Sequence, residues 1–190
     1  MDTDTTFKEH HFFELQRRDS LTSALNLTVG IVTLLAGGTV AMWRGVSADC
    51  SVANTLLGAC LVLTGGGLVV TVYFMCRSIF GYDYRYFPDT RLVAKYRADF
   101  LNFHLQEKDV PEEEARRRAA AEYLEKIEEI YMNCAGENGV HNDERAGWAY
   151  KANRALVVCL TLFIASGTAY LFNTVAATEK PVKVIIQNLE

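Results

Sequence analysis

The chain has 190 residues, of which 50% are hydrophobic and 22% are charged, and its formal net charge is −4. This slightly acidic balance excludes a globally basic surface of the kind that attracts nucleic acid. The averages resemble those of an ordinary soluble domain, but charged and apolar residues occupy separate blocks of the sequence.

Three long stretches, 20–43, 50–76 and 155–178, contain no charged residue. Each exceeds the roughly 20 apolar residues that an α-helix needs to cross a hydrocarbon core about 30 Å thick. A helix satisfies its backbone hydrogen bonds within the segment, which lipid requires. We therefore predict an all-α membrane protein with transmembrane helices at 20–43, 52–76 and 155–178.

The segment before the first span, 1–19, is predicted to be an amphipathic helix with Phe12, Phe13 and Leu15 on its apolar side. Its acidic residues and the length of the following apolar run differ from a secretion signal. We therefore expect the first span to remain in the mature protein as an anchor. A short loop, 44–51, joins the first span to the second.

Between the second and third spans, the segment 77–154 is predicted to be a helical module built around a hairpin. Aromatic and polar residues alternate over 80–88, which indicates a short extended segment along the membrane surface. Apolar residues at the helical period predict a helix from residue 90 to about 106, with Asp89 or Thr90 near its start. The pattern breaks over 107–110, and Pro111 suits the first position of the next helix.

The helix after Pro111 carries charges on one face and apolar residues on another. Glutamates at 112–114 stand four residues before arginines at 116–118, the favourable order for ion pairs. The apolar face is close to a heptad stripe and is predicted to dock a neighbouring helix or a partner. It consists of Tyr123, Leu124, Ile127, Ile130, Tyr131 and Cys134. The glycine-containing sequence 136–139 predicts a break, with Asn142 or Asp143 capping the next helix.

The positions of lysine and arginine predict the orientation of the chain. They are concentrated before the first span, after the second and before the third, and they are sparse in 44–51 and 179–190. By the positive-inside rule, the N-terminus and the module 77–154 face the cytoplasm. The loop 44–51 and the tail 179–190 then lie outside.

Small residues within the spans are predicted to let helices approach closely, either within one chain or between subunits. The glycines assigned to this packing and oligomerisation are Gly30, Gly37, Gly38, Gly58, Gly65, Gly66, Gly67 and Gly167. No Asp, Glu, Lys, Arg or His lies within any span, which argues against transport through a charged relay. A pore assembled from several chains needs no such charge, and it remains an open alternative.

The sequence contains no motif of a phosphate loop, a zinc protease or a paired-cysteine site, so we predict no enzyme activity, cofactor or metal. One pattern is an alternative to this prediction. Arg97 and His104 resemble the Arg-x(4–6)-His motif of HEPN-type ribonucleases, in which pairs from two subunits cleave RNA. Both residues can equally flank an apolar helix stripe, since they stand two helical turns apart.

Three strings at the span junctions carry a resemblance to known proteins: ELQRRD at 14–19, RSIFGYDY at 77–84, and NDER with YKAN at 142–145 and 150–153. Their order and placement resemble small bacterial membrane proteins found beside antiviral systems, including the membrane accessory protein of RNA-targeting CRISPR systems. That resemblance implies an inner-membrane homo-oligomer that forms a pore.

The partners expected from these patterns are the lipid bilayer, further copies of the chain and a soluble defence-system protein at the cytoplasmic face, without direct contact to nucleic acid. Two alternatives to a pore-forming effector stay open. One is a membrane anchor or scaffold that docks a soluble partner, and the other is a membrane-tethered HEPN-like ribonuclease.

Overall fold

The computed structural model describes residues 3–46, 52–107 and 110–178, and these residues form four α-helices and no strand. The helices are α1 (Thr3–Trp43), α2 (Val52–Ile79), α3 (Thr90–Leu105) and α4 (Glu112–Thr178). The predicted all-α class is confirmed. By length and composition, α1, α2 and α4 can each cross a membrane. The predicted tail, 179–190, and most of the predicted loop, 44–51, lie outside the described residues.

Two helices are longer than the sequence indicated. The predicted N-terminal helix and the first span both belong to α1, and the predicted break at 136–139 is wrong because α4 continues through it. A glycine inside a helix costs about 1 kcal/mol relative to alanine. Between these glycines, however, Asn138 is fully buried, and its packing outweighs that cost. Asn142 also lies inside α4 rather than at a cap.

The ends of α3 and α4 agree closely with the sequence patterns. The Asp89 carboxylate caps α3 by accepting a 2.7 Å hydrogen bond from the Arg91 backbone N–H. At the start of α4, the Pro111 carbonyl accepts from the Ala115 N–H at 2.9 Å, so the helix begins one residue later than predicted. Two of the predicted ion pairs are present, at 2.6 Å between positions 112 and 116 and at 3.0 Å between positions 114 and 118.

Contacts within the chain divide it into two compact units. Unit 1 consists of Met1–Ser23 and Ser78–Gly147, and unit 2 consists of Ala24–Arg77 and Trp148–Glu190. Unit 2 contains the charge-free segments of all three long helices, whereas unit 1 contains α3 and the charged parts of the chain.

Unit 2 packs its helices with buried residues spaced alternately by three and four. On α2 these residues are Asn54, Leu57, Leu61, Thr64, Leu68, Thr71 and Met75. This heptad spacing is typical of left-handed packing at crossing angles of about 20°. One core cluster joins Leu35, Leu68, Leu156 and Cys159. The bundle is therefore held by close apolar packing along its length.

Polar side chains also tie the helices of unit 2 together. The Asn173 amide donates to the Asn54 Oδ1 atom at 2.7 Å, and the Thr28 hydroxyl donates to the Asn153 Oδ1 atom at 3.2 Å. Hydrogen bonds between membrane helices contribute on average about 0.6 kcal/mol each. These bonds help to fix the register of the three helices.

Candidate functional site

The residues 81–88, here called the strap, form an extended segment that packs on α4 within unit 1. Gly81 begins it with φ of 94°, which side-chain-bearing residues rarely adopt. The Tyr82 ring contacts His141, Tyr86 reaches Cys134, and Phe87 reaches Tyr131. Because successive strap residues meet α4 progressively closer to its N-terminus, the strap runs antiparallel to α4.

Asn138 holds the middle of the strap. Its Oδ1 atom accepts from the Arg85 backbone N–H at 2.8 Å, and its Nδ2 atom donates to the Arg85 carbonyl at 2.8 Å. The Arg85 side chain also pairs with Glu137. A fully buried amide thus satisfies the backbone of an extended residue that has no strand neighbour.

Arg145 holds the beginning of the strap. Its guanidinium is buried and donates to the Ser78 carbonyl at 2.8 Å, the Tyr84 hydroxyl at 2.9 Å and the Thr22 hydroxyl at 3.1 Å. These acceptors are a carbonyl and two hydroxyl groups rather than a carboxylate. The Tyr82 and Tyr84 rings lie 6.0 and 5.7 Å from its Cζ atom, where their π faces attract the cation. Such a buried charge is stable only in this arrangement.

A chain of hydrogen bonds continues from Arg145 to a buried carboxylate on α1. The Tyr84 hydroxyl donates to the Asn142 Oδ1 atom at 2.6 Å, and the Asn142 amide donates to the Glu14 carbonyl and carboxylate at 2.7 and 2.8 Å. The Glu14 carboxylate also lies 3.6 Å from Arg17. A fully satisfied polar network of this kind specifies one arrangement of α1, the strap and α4.

Two titratable groups beside this network are shifted by burial. Burial raises the pKa of the Cys134 thiol, which donates to the Tyr86 carbonyl at 3.7 Å and is therefore a packing residue rather than a reactive nucleophile. Burial lowers the pKa of His11, whose ring lies 5.7 Å from that of Tyr131. The His11 Nδ1 atom has no hydrogen bond to any described residue.

The predicted docking face on α4 is partly covered by the strap. Tyr131 stacks on Phe87 with 4.4 Å between ring centroids, and Cys134 is buried. Ile130 is half-buried, whereas Leu124 is 50% exposed. An open groove of about 370 Å³ remains, lined by Lys8, Phe87, Val93, Tyr123, Leu124, Ile127 and Tyr131. Docking through this face stays a prediction, restricted to the N-terminal part of the stripe.

The structure places Arg97 and His104 in different surroundings on α3. Arg97 is exposed and lines a cleft of about 300 Å³ with Leu101 and Arg116. His104 is 4% exposed, with its Nε2 atom 3.2 Å from the Glu122 carboxylate, although neither ring nitrogen has hydrogen-bond geometry to a described residue. Seven residues separate the pair by about 10 Å along the helix axis. These surroundings favour a packing role for His104.

Within the described parts of the chain, no cluster of three or more His, Cys, Asp or Glu side chains can hold a metal ion.

The eight glycines assigned to helix packing divide into two groups. A Cβ atom at Gly38 would lie 2.5 Å from the Phe163 ring, and one at Gly67 would lie 2.5 Å from the Cys159 sulfur. Gly167 faces Met42 at an ordinary contact distance. The others have no such neighbour within 4 Å, namely Gly30, Gly37, Gly58, Gly65 and Gly66. The first group packs within the chain, and the second faces open space.

The sequence patterns missed the residues that hold the strap. Asn138, Asn142 and Arg145 were assigned to a break, a cap and a solvent-exposed flank. Their spacings of four and three continue N-terminally the heptad that includes Ala152, Leu156 and Cys159. Polar residues at core positions of a heptad were therefore the available signal.

Comparison of the chain with protein-family models, curated proteins and solved structures found no match.

Proposed function

We propose that this chain is a self-associating protein of the bacterial inner membrane, and that its oligomers perturb or permeabilise the bilayer. The observation that supports this proposal most strongly is an exposed stripe of small and polar residues on α1, here called the α1 stripe. It consists of Asn26, Gly30, Thr33 and Gly37.

The α1 stripe lies on the side of α1 away from the packed core of unit 2. Its spacings of four, three and four residues place its members on one helix face. Leu25, Thr28 and Leu35, which are buried, occupy the other side of α1. No neighbouring atom lies within 4 Å of a Cβ built at Gly30 or Gly37. A second helix can therefore approach this face closely, which membrane helices do at small residues.

The polar members of the α1 stripe also favour contact with another helix. An exposed Asn26 amide in a membrane helix gains a hydrogen bond when it meets a polar group of a second copy, worth about 1–2 kcal/mol in peptides. The Thr33 hydroxyl donates to the Val29 carbonyl at 2.9 Å, so this side chain stays compact and adds no unsatisfied group. Self-association buries both residues and removes them from lipid.

We place unit 1 on the cytoplasmic side, with α3 and the first part of α4 as a hairpin that receives an activating signal. This orientation follows from the lysine and arginine distribution, with the tail 179–190 outside. The polar network at the strap gives the signal a defined arrangement to alter. The setting in antiviral defence rests on the resemblance of the three junction strings described above.

Dye release from lipid vesicles tests this function. We expect the wild-type protein to release an entrapped dye, and we expect Gly30→Leu with Gly37→Leu to abolish release because the leucines block helix approach. Ala36→Leu is the matched control, since Ala36 is exposed on α1 but lies off the stripe. Intact vesicles with the wild-type protein, or equal release by the glycine variant, would count against the proposal.

A second candidate function is a scaffold that docks a soluble partner, and the open groove beside Leu124 and Val93 favours it. The groove is mainly apolar, and Lys8 lies at its rim, so it suits an amphipathic helix with an acidic edge. A scaffold predicts a monomer in detergent and loss of partner capture by Leu124→Asp. Capture unaffected by that substitution would exclude the groove.

A further inference from the structure

One end of unit 2 carries cations and aromatic rings without any acid. Over residues 24–46, 52–77 and 148–178, the only charged side chains are those of Arg44, Arg77, Lys151 and Arg154. Three of these four follow or precede a charge-free span directly, Arg77 after residue 76 and the other two just before residue 155. The described part of unit 2 therefore has a positive end with no internal counter-charge.

Two of these cations share one indole ring. The Lys151 Nζ atom lies 3.9 Å from the centroid of the Trp148 ring, and the Arg77 Cζ atom lies 5.3 Å from it. The Phe74 ring packs beside the indole at 5.9 Å between centroids. Cation–π attraction thus gathers two exposed positive groups from α2 and α4 around Trp148. Like charges held this closely repel each other, and an anion between them relieves that repulsion.

The depth of the cluster identifies the anion. Because the charge-free spans begin and end beside these cations, the cluster lies at the edge of the hydrocarbon core, where lipid phosphate groups and amphipathic aromatic rings are found. Basic residues at this level bind anionic headgroups, and each contributes on the order of 1 kcal/mol. We propose that Arg77, Lys151 and Trp148 form a binding site for the phosphate of an anionic phospholipid. This site does not depend on the proposed pore activity.

Fluorescence quenching in bilayers tests the site directly. The chain has two tryptophans, so Trp43→Phe leaves Trp148 as the single indole reporter. In this background we expect brominated phosphatidylglycerol to quench Trp148 more strongly than brominated phosphatidylcholine. Lys151→Gln and Arg77→Gln should each reduce the preference about fivefold, and Lys151→Arg should retain it. Equal quenching by the two lipids would overturn the proposal.

Two control measurements distinguish a lipid site from a general charge effect and from a soluble ligand. Arg44→Gln removes a cation that belongs to a different helix end and should leave the preference unchanged; a matching loss would show a general charge effect instead of a site. Glycerol phosphate, added at constant ionic strength, should not compete with the brominated lipid. Full competition would assign the site to a soluble phosphate compound and would contradict a lipid ligand.

Discussion

Asn138 replaces a missing strand neighbour for Arg85, because both polar atoms of its side chain bond to the Arg85 backbone at 2.8 Å. The amide reads the backbone and not the side chain of the strap. It therefore fixes the position of the extended segment regardless of which residue stands at position 85.

Asn138→Ala should release the middle of the strap. The substitution leaves the Arg85 N–H and carbonyl without these partners, and an unsatisfied buried group costs about 1–3 kcal/mol. We expect faster amide hydrogen exchange over residues 82–88, measured by mass spectrometry. Asn133→Ala, on an exposed side of α4, is the control and should leave exchange unchanged. Unchanged strap protection in Asn138→Ala would show that the ring contacts alone hold the segment.

Arg145→Lys should destabilise unit 1 although it keeps the charge. A lysine ammonium cannot reproduce the planar fork that reaches Ser78, Tyr84 and Thr22 together. We expect a loss of about 3 kcal/mol in the free energy of unfolding, measured by denaturation in detergent.

The matched control for Arg145→Lys is Arg116→Lys, which changes an exposed pair with Glu112 and should cost less than about 1 kcal/mol. Similar losses from both substitutions would argue against a special role for the buried guanidinium.

The protein should lose stability in mild acid through His11. Because burial lowers the pKa of His11, the unfolded chain binds a proton at a higher pH than the folded chain does. The contribution of neutral His11 is therefore complete above its ordinary pKa of about 6.5 and is lost as the pH falls below it.

Thermal unfolding between pH 8 and pH 5 measures this effect, and His11→Phe should flatten the pH dependence. His10→Gln is the control, since the neighbouring His10 side chain is 57% exposed. An unchanged slope in His11→Phe would exclude this histidine as the cause.

Gly67 and Cys159 should show strong energetic coupling. A methyl group at position 67 would lie 2.5 Å from the Cys159 sulfur, so Gly67→Ala should lower the melting temperature despite the better helix propensity of alanine. Adding Cys159→Ala removes the sulfur and should restore much of the loss in a double-mutant cycle. Gly66→Ala, which faces open space, should be neutral or stabilising. Additive effects of the two substitutions would mean that this contact does not limit helix approach.

The spans and the helix ends at Asp89 and Pro111 were predictable from sequence because they depend on local properties. Charge-free length determines whether a segment can enter lipid, and caps depend on residues a few positions away. The polar network was not predictable in the same way. Glu14 and Asn142 are 128 residues apart, and nothing near either residue shows that they meet.

The break predicted at 136–139 failed for a related reason. Glycine signals a turn when no tertiary contact opposes it, but here the buried residue between the two glycines holds the strap. The sequence also could not separate Gly37 from Gly38. Only the packing of α1 shows that Gly38 meets Phe163 and that Gly37 does not.

The oligomeric state in lipid tests the central claim most directly. Single-molecule photobleaching of labelled protein, extracted with its surrounding lipid, counts the subunits in each particle. We predict several subunits for the wild-type protein and for Ala36→Leu, and single subunits for Gly37→Leu with an unchanged melting temperature. Single subunits for the wild-type protein, or unchanged oligomers for Gly37→Leu, would contradict self-association through the α1 stripe.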